Sequence, residues 1–138
     1  MTTPTYVDTV AAFRDVLIDR LAGSSIETVP VRTQHKEGEA PPFILLAEGG
    51  SIRHPRVPLY APARVNFEAW ALDEDAAVAI YMTAAQFMHR LGVVIKNGVA
   101  IFQCFEETGL QQPFPDPDTG WWRAFGVFDL TMVDQILA

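Results

Sequence analysis

Two aromatic-rich runs near the end of the chain, separated by a polar stretch with three prolines, constrain the fold more than any other feature. The first is Val99-Ala100-Ile101-Phe102-Gln103-Cys104-Phe105, and the second runs from Trp121 to Val133. Successive side chains of a strand point to opposite faces. In the second run, Trp122, Ala124, Gly126, Phe128, Leu130 and Met132 therefore share one face, which has the character of a core. Trp121, Arg123, Phe125, Val127, Asp129 and Thr131 share the other, a mixed face suited to partial exposure. The stretch between the runs, Glu106 to Gly120, carries Pro113, Pro115 and Pro117 and ends in Asp116-Pro117-Asp118-Thr119-Gly120. The pattern predicts a long β-hairpin with an extended loop near the C-terminus.

The rest of the chain supplies partners for that hairpin. Tyr6, Val10, Phe13, Leu17 and Leu21 recur at spacings of three and four. They predict a helix from about Tyr6 to Ala22, capped by Thr5 or Thr3 and stopped at Gly23. Ile26 to Arg32 is a short strand candidate, and Pro30 within it restricts it to an edge or a bulge. Gln34 to Pro42 is a polar loop. Phe43 to Ala47 is a continuous apolar run suited to a strand buried on both faces, with Gly49-Gly50 expected to end it. Ser51 to Pro62 holds three prolines and the basic group Arg53, His54 and Arg56.

Arg64 to Leu72 alternates as a strand, with Val65, Phe67, Ala69 and Ala71 on one face and Asn66, Glu68 and Trp70 on the other. Asp73-Glu74-Asp75 then opens a second helix, with Asp73 as cap and the acids complementing the helix dipole. Its stripe is Ala77, Ile80, Ala84, Phe87 and Leu91, and Gly92 is expected to terminate it. Separate runs of strands with only two helices predict an α+β fold, with both helices on one mainly antiparallel sheet. The 138 residues are within the usual size of one domain and show no internal repeat or linker, so a single domain is expected.

Charge and residue usage exclude several classes of function. A net charge of −7 opposes binding to a phosphate backbone, which needs clustered Lys and Arg. No sequence-specific nucleic-acid partner is expected. Trp121-Trp122 could stack on bases, but without a basic groove core packing and subunit contact are the better reading. The most apolar helical segment, Ala76 to Met88, is too short to span a bilayer, and no signal-peptide pattern opens the sequence. A soluble protein that stays in the cytosol where it is made, with no membrane partner, is the expectation.

The single cysteine, Cys104, allows no internal disulfide and no Cys-based zinc site, and its apolar surroundings favour a small buried hydrophobe. His35 and His54 lie in loops and His89 near a helix end, without metal-ligand spacing, so surface or helix-end roles are expected. Asp116 to Gly120 imitates the start of a calcium loop. However, Val127 stands where that loop needs a bidentate acid, so turn chemistry is preferred. Glu106 and Glu107 are adjacent on a strand and so point apart. No nucleophile elbow or phosphate loop is present. The residues carry no catalytic, metal or cofactor signature.

The order of elements, with the Asn66-Phe67-Glu68-Ala69-Trp70 block, the helix from Asp73 and the hairpin from Pro113 to Arg123, resembles the tail terminator (tail completion) proteins of long-tailed bacteriophages. The resemblance implies a non-enzymatic structural protein. It would form a homo-oligomeric ring, commonly a hexamer, on the end of the tail tube, stop tube growth and offer a joining surface to the head–tail connector. It also implies the tail tube protein and connector protein as partners, and a location in the virion tail after assembly in the host cytoplasm. A closed ring needs two different patches on each subunit. By charge and exposure, Arg53, His54 and Arg56 are expected to meet acidic positions on a neighbour, with Trp121 and Arg123 as further subunit-contact candidates. Gln111, Gln112, Asp116 and Asp118 belong to the loop expected to line or cap the ring. Another head–tail connector or minor tail protein, and a small α+β enzyme or ligand-binding domain, are the rival readings.

Overall fold

The computed structural model describes residues 9–51, 60–90, 94–96 and 99–134. Among these, two helices and seven strands follow in the order α1 (Thr9–Leu21), β1 (Val31–Arg32), β2 (Phe43–Ser51), β3 (Tyr60–Ala71), α2 (Glu74–His89), β4 (Val94–Lys96), β5 (Val99–Thr108), β6 (Phe114–Pro115) and β7 (Trp122–Asp134). The strands form one sheet in the order β1-β2-β3-β7-β5-β4, with β6 added beside β7. Every pairing is antiparallel except β1 with β2. The α+β class is as the sequence indicates, and so is the hairpin of β5 and β7.

Alternation decides which face of the sheet the helices cover. Val65, Phe67 and Ala69 of β3 and Ala124 and Phe128 of β7 are fully buried, as the period-two reading requires. Phe13 of α1 meets Phe128 at 5.8 Å between ring centroids. Tyr81 of α2 stands edge-on to Phe67 at 5.3 Å, and Phe67 meets Phe128 at 5.7 Å. Burying each such ring is worth about 1.5–3 kcal/mol. Tyr81 is outside the expected stripe of α2, yet it is fully buried because Gly126 lies beneath it. A Cβ built on Gly126 would fall 1.8 Å from the Tyr81 hydroxyl oxygen.

The helix boundaries follow local chemistry. Asp73 caps α2 by accepting a 2.8 Å hydrogen bond from the Ala76 amide. In α1, Phe13, Leu17 and Leu21 are buried as expected, and Gly23, at φ +80, follows the last turn. Tyr6, the Thr3 and Thr5 caps, Leu91 and Gly92 lie outside the described residues.

Several expected boundaries are corrected. Residues 22–29 are turns and bends, so the strand expected from Ile26 shrinks to Val31–Arg32, with the Pro30 carbonyl accepting from the Ile44 amide at 2.8 Å. That places Pro30 beside the sheet edge, where its missing donor costs nothing. Gly49-Gly50 does not end β2. The strand runs on to Ser51 with a register shift after Glu48, and a side chain on Gly49 would strike Asn66 Oδ1 at 2.8 Å. Leu45 is half-buried, so β2 is not closed on both faces along its whole length. β3 starts at Tyr60, four residues earlier than expected, and β4 and β6 were not anticipated.

Candidate functional site

The helix-free face of the sheet presents Phe43 and Leu45 from β2, Glu68 and Trp70 from β3, and Arg123 and Phe125 from β7. The register pairs Phe43 with Trp70 and Trp70 with Arg123 across three neighbouring strands. Although no helix covers this face, Phe43 is only 2% exposed. Its cover comes from loops. The His35 ring lies 4.9 Å from that of Phe43, Trp70 stacks on it at 6.1 Å, and Trp121 meets it edge-on at 6.3 Å.

Two short loops are tied down to make this cover. Arg32 clamps Glu39 through Nε (3.3 Å) and Nη2 (3.0 Å), closing the loop that holds His35. The hydrogen bonds from Arg32 hold the Glu39 carboxyl below its ordinary pKa and raise that of the guanidinium. His35 Nε2 donates to the Glu39 carbonyl at 3.2 Å. On the other side, the Asp116 carboxylate accepts from the Thr119 hydroxyl at 2.7 Å, and the Asp116 carbonyl accepts from the Gly120 amide at 2.8 Å. The Asp116 amide donates to the Trp121 carbonyl at 2.7 Å. Turn chemistry thus places Asp116 beside Trp121.

Between these loops lies a pocket of about 330 Å³, lined by His35, Phe43, Leu45, Trp70, Asp116, Thr119 and Trp121. Its lining is mostly aromatic and includes one acidic residue, Asp116. Next to it, the Arg123 guanidinium donates to Glu68 at 2.9 Å and lies 4.6 Å from the Phe114 ring centre and 5.3 Å from that of Phe125. Trp70 Nε1 and Arg123 Nε are both shut from solvent without a hydrogen-bond partner among the described residues.

Of the residues singled out in the sequence, Trp121 and Asp116 come together at the pocket, and Arg123 sits on the adjoining part of the same face. Gln111 is exposed, and its backbone N–H donates to the Phe125 carbonyl at 2.9 Å, which ties the loop to β7. Gln112 and Asp118 are exposed on the loop. Arg53, His54 and Arg56 lie outside the described residues. His35, Phe43 and Trp70 were not anticipated as neighbours of Trp121. Only Trp70's place on the solvent-side alternation of β3 hinted at it.

A second cluster lies on the helix-covered face. Tyr81 donates to Glu106 Oε2 at 2.5 Å, and the other Glu106 oxygen pairs with His89 Nε2. His89 is therefore more than a helix-end charge: it ties the end of α2 to β5. The Glu107 side chain lies outside the described set. Burial, then the hydrogen bond to Glu106, raises the Tyr81 pKa far above its ordinary value. Cys104 is buried as expected, and its thiol is pushed up to about 12 by burial and by the charges of Asp129 and Glu106. Both shifts hold these groups neutral and inert, the opposite of what a nucleophile needs. Among the described residues, no group of three His, Cys, Asp or Glu could hold a metal ion, and no helix is long and apolar enough to cross a membrane.

As a sequence, the chain matches no family model and no curated protein. As a structure, it matches a chain from the virion of a native gene transfer agent particle with a TM-score of 0.65 at 14% identity, over 92% of this chain and 99% of that one. At that identity the two share a fold.

Proposed function

We propose that this protein is a structural component of a phage-like particle, acting by assembly rather than catalysis, and that it forms the ring closing the end of the tail tube. The observation that carries the reading is the fold shared, over 92% of this chain, with a chain described as part of a gene transfer agent virion. The sequence resemblance to tail terminators adds the finer role: a hexameric ring that stops tube growth and gives the head–tail connector a surface to join. The helix-free face fits an assembly role, because Glu68, Trp70, Trp121, Arg123 and Phe125 are only partly covered within one copy. Tail tube protein and connector protein are the proposed partners, and the virion tail is the proposed location.

Electron microscopy of particles produced without this protein tests the reading. Overlong tails that fail to join heads are the expected result. Tails of normal length lacking heads would assign the protein to the connector instead, and normal particles would overturn both assignments. Replacing Arg53 and Arg56 by Glu is expected to impair ring formation while the monomer stays folded, read by particle morphology and far-ultraviolet circular dichroism.

A further inference from the structure

We infer that the aromatic pocket receives an arginine from the 53–56 segment of a second copy of this chain. The inference rests on the ring reading above and names the contact that would close the ring. The pocket is lined by residues of the kind a guanidinium binds, the aromatic Trp70 and Trp121 and the acidic Asp116. The same chemistry is already built one strand away, where Arg123 lies over Phe114 and Phe125 and is held by Glu68. A volume of about 330 Å³ suits one or two side chains rather than a large ligand.

Charge and chain length select the occupant. With a net charge of −7, copies of this protein repel one another except where a local basic patch meets an acidic one. Positions 49–63 contain Arg53, His54 and Arg56 and no Asp or Glu. Elsewhere Arg14, Arg32, Arg64 and Arg123 are ion-paired within the chain, and the exposed Arg20 and Arg90 stand singly at the ends of α1 and α2, the helices on the other side of the sheet from the pocket.

The segment also leaves the sheet at the far end from the pocket. Phe43 pairs with Trp70 at the pocket, while Ser51, where β2 gives way to positions 52–59, pairs with Ala63. Eight residue steps of strand separate the two ends, about 26 Å. A stretch of eight residues that must double back reaches about 14 Å at most. A copy therefore cannot fill its own pocket from this segment, but it can fill a neighbour's. Two unlike patches at opposite ends of one sheet make a head-to-tail contact, the kind that closes into a ring.

The test titrates a peptide with the sequence of positions 49–63 into the full chain carrying Arg53→Glu and Arg56→Glu, which removes competition from the receptor's own segment. The peptide contains no tryptophan, so indole emission reports the receptor alone. A saturable change is expected, weakened about tenfold in high salt. Calorimetry should show binding reduced about tenfold by adding Trp121→Ala, or Leu45→Lys, to the receptor, with Trp121→Phe restoring most of it. No saturable response overturns the inference. So does equal binding of a peptide with both arginines replaced by alanine, or unchanged affinity in a folded Trp121→Ala or Leu45→Lys receptor. A silent titration beside overlong tails in the deletion removes this contact and leaves the terminator reading standing. Saturable, arginine-dependent binding beside normal tails supports self-docking and removes the tail role.

Discussion

The two faces of the sheet are built from the same strands and follow different rules. On the covered face, Phe67, Tyr81, Phe128 and Phe13 are closed to solvent and touch one another, and Gly126 is required to let the hydroxyl end of Tyr81 approach β7. On the open face, aromatic side chains are mixed with Glu68, Arg123, Arg64 and Asp129, and loops rather than helices provide the partial cover. Close packing makes the first face sensitive to single atoms. The second face spends large side chains where the fold does not demand them, which is the mark of a surface made to meet something.

The sharpest way to break this contrast is to truncate a ring on the covered face. Phe67→Ala should cost about 3–5 kcal/mol, because a fully buried ring packed against two others leaves a cavity that strands cannot close. Urea unfolding would show it as a lower midpoint. Next in size is Gly126→Ala, where one added methyl must displace Tyr81 from its seat. A loss of about 1–3 kcal/mol is expected, falling in a double mutant with Tyr81→Leu well below the sum of the two single losses. Additive losses would show that Tyr81 and Gly126 do not constrain each other.

Alkaline pH tests the covered face without mutation. Cys104 and Tyr81 both have folded pKa values raised by burial, so their neutral forms favour the fold fully below the unfolded pKa values, near 8.5 and 10. Above those values the unfolded chain releases protons that the folded chain retains. Stability should therefore fall as pH rises, on the order of 1 kcal/mol per pH unit from about 9 to 12 for the thiol, with the phenol adding its share above 10. Tyr81→Phe should flatten the upper part of that decline and Cys104→Val the lower. Free thiol titration of the folded protein at neutral pH should be slow, rising only with global unfolding.

Much of the covered face was legible because alternation and caps are local. Val65, Phe67 and Ala69, the two faces of β7, and Asp73 all act through neighbours a few residues away. What was missed depends on distant partners. Tyr81 looked off-stripe because its burial depends on a missing side chain at Gly126. Glu106 turned inward because the register shift after Ile101 breaks the simple period of β5 and puts Cys104 and Glu106 opposite Leu130 and Phe128. Gly49-Gly50 resembled a stop, since glycine permits a turn as readily as a close approach to Asn66. The two residues of β6 are a strand only because Arg123 and Trp122 pair with them. β4 had a usable signal in Asn97-Gly98, a strong short-range hairpin pair, with Lys96 and Val99 facing each other on either side. The pocket was illegible for a simpler reason: it joins four stretches of chain, and no periodicity links His35 to Trp121.

The smallest effect should come from the open face, and its smallness is what the contrast predicts. Phe114 is 43% exposed and holds its place through pairing of β6 with β7 and through the Arg123 guanidinium above its ring. An exposed cation–π contact is worth about 0.5–1 kcal/mol, so Phe114→Ala should shift the unfolding midpoint only slightly. Arg123 keeps Glu68 and Phe125 as partners in that variant. The loosened strap should instead appear as faster proteolysis between Gly109 and Gly120, with the core unchanged. A loss approaching that of Phe67→Ala would mean that the loop is part of the folding core, and the aromatic residues beneath it would then be explained by stability alone.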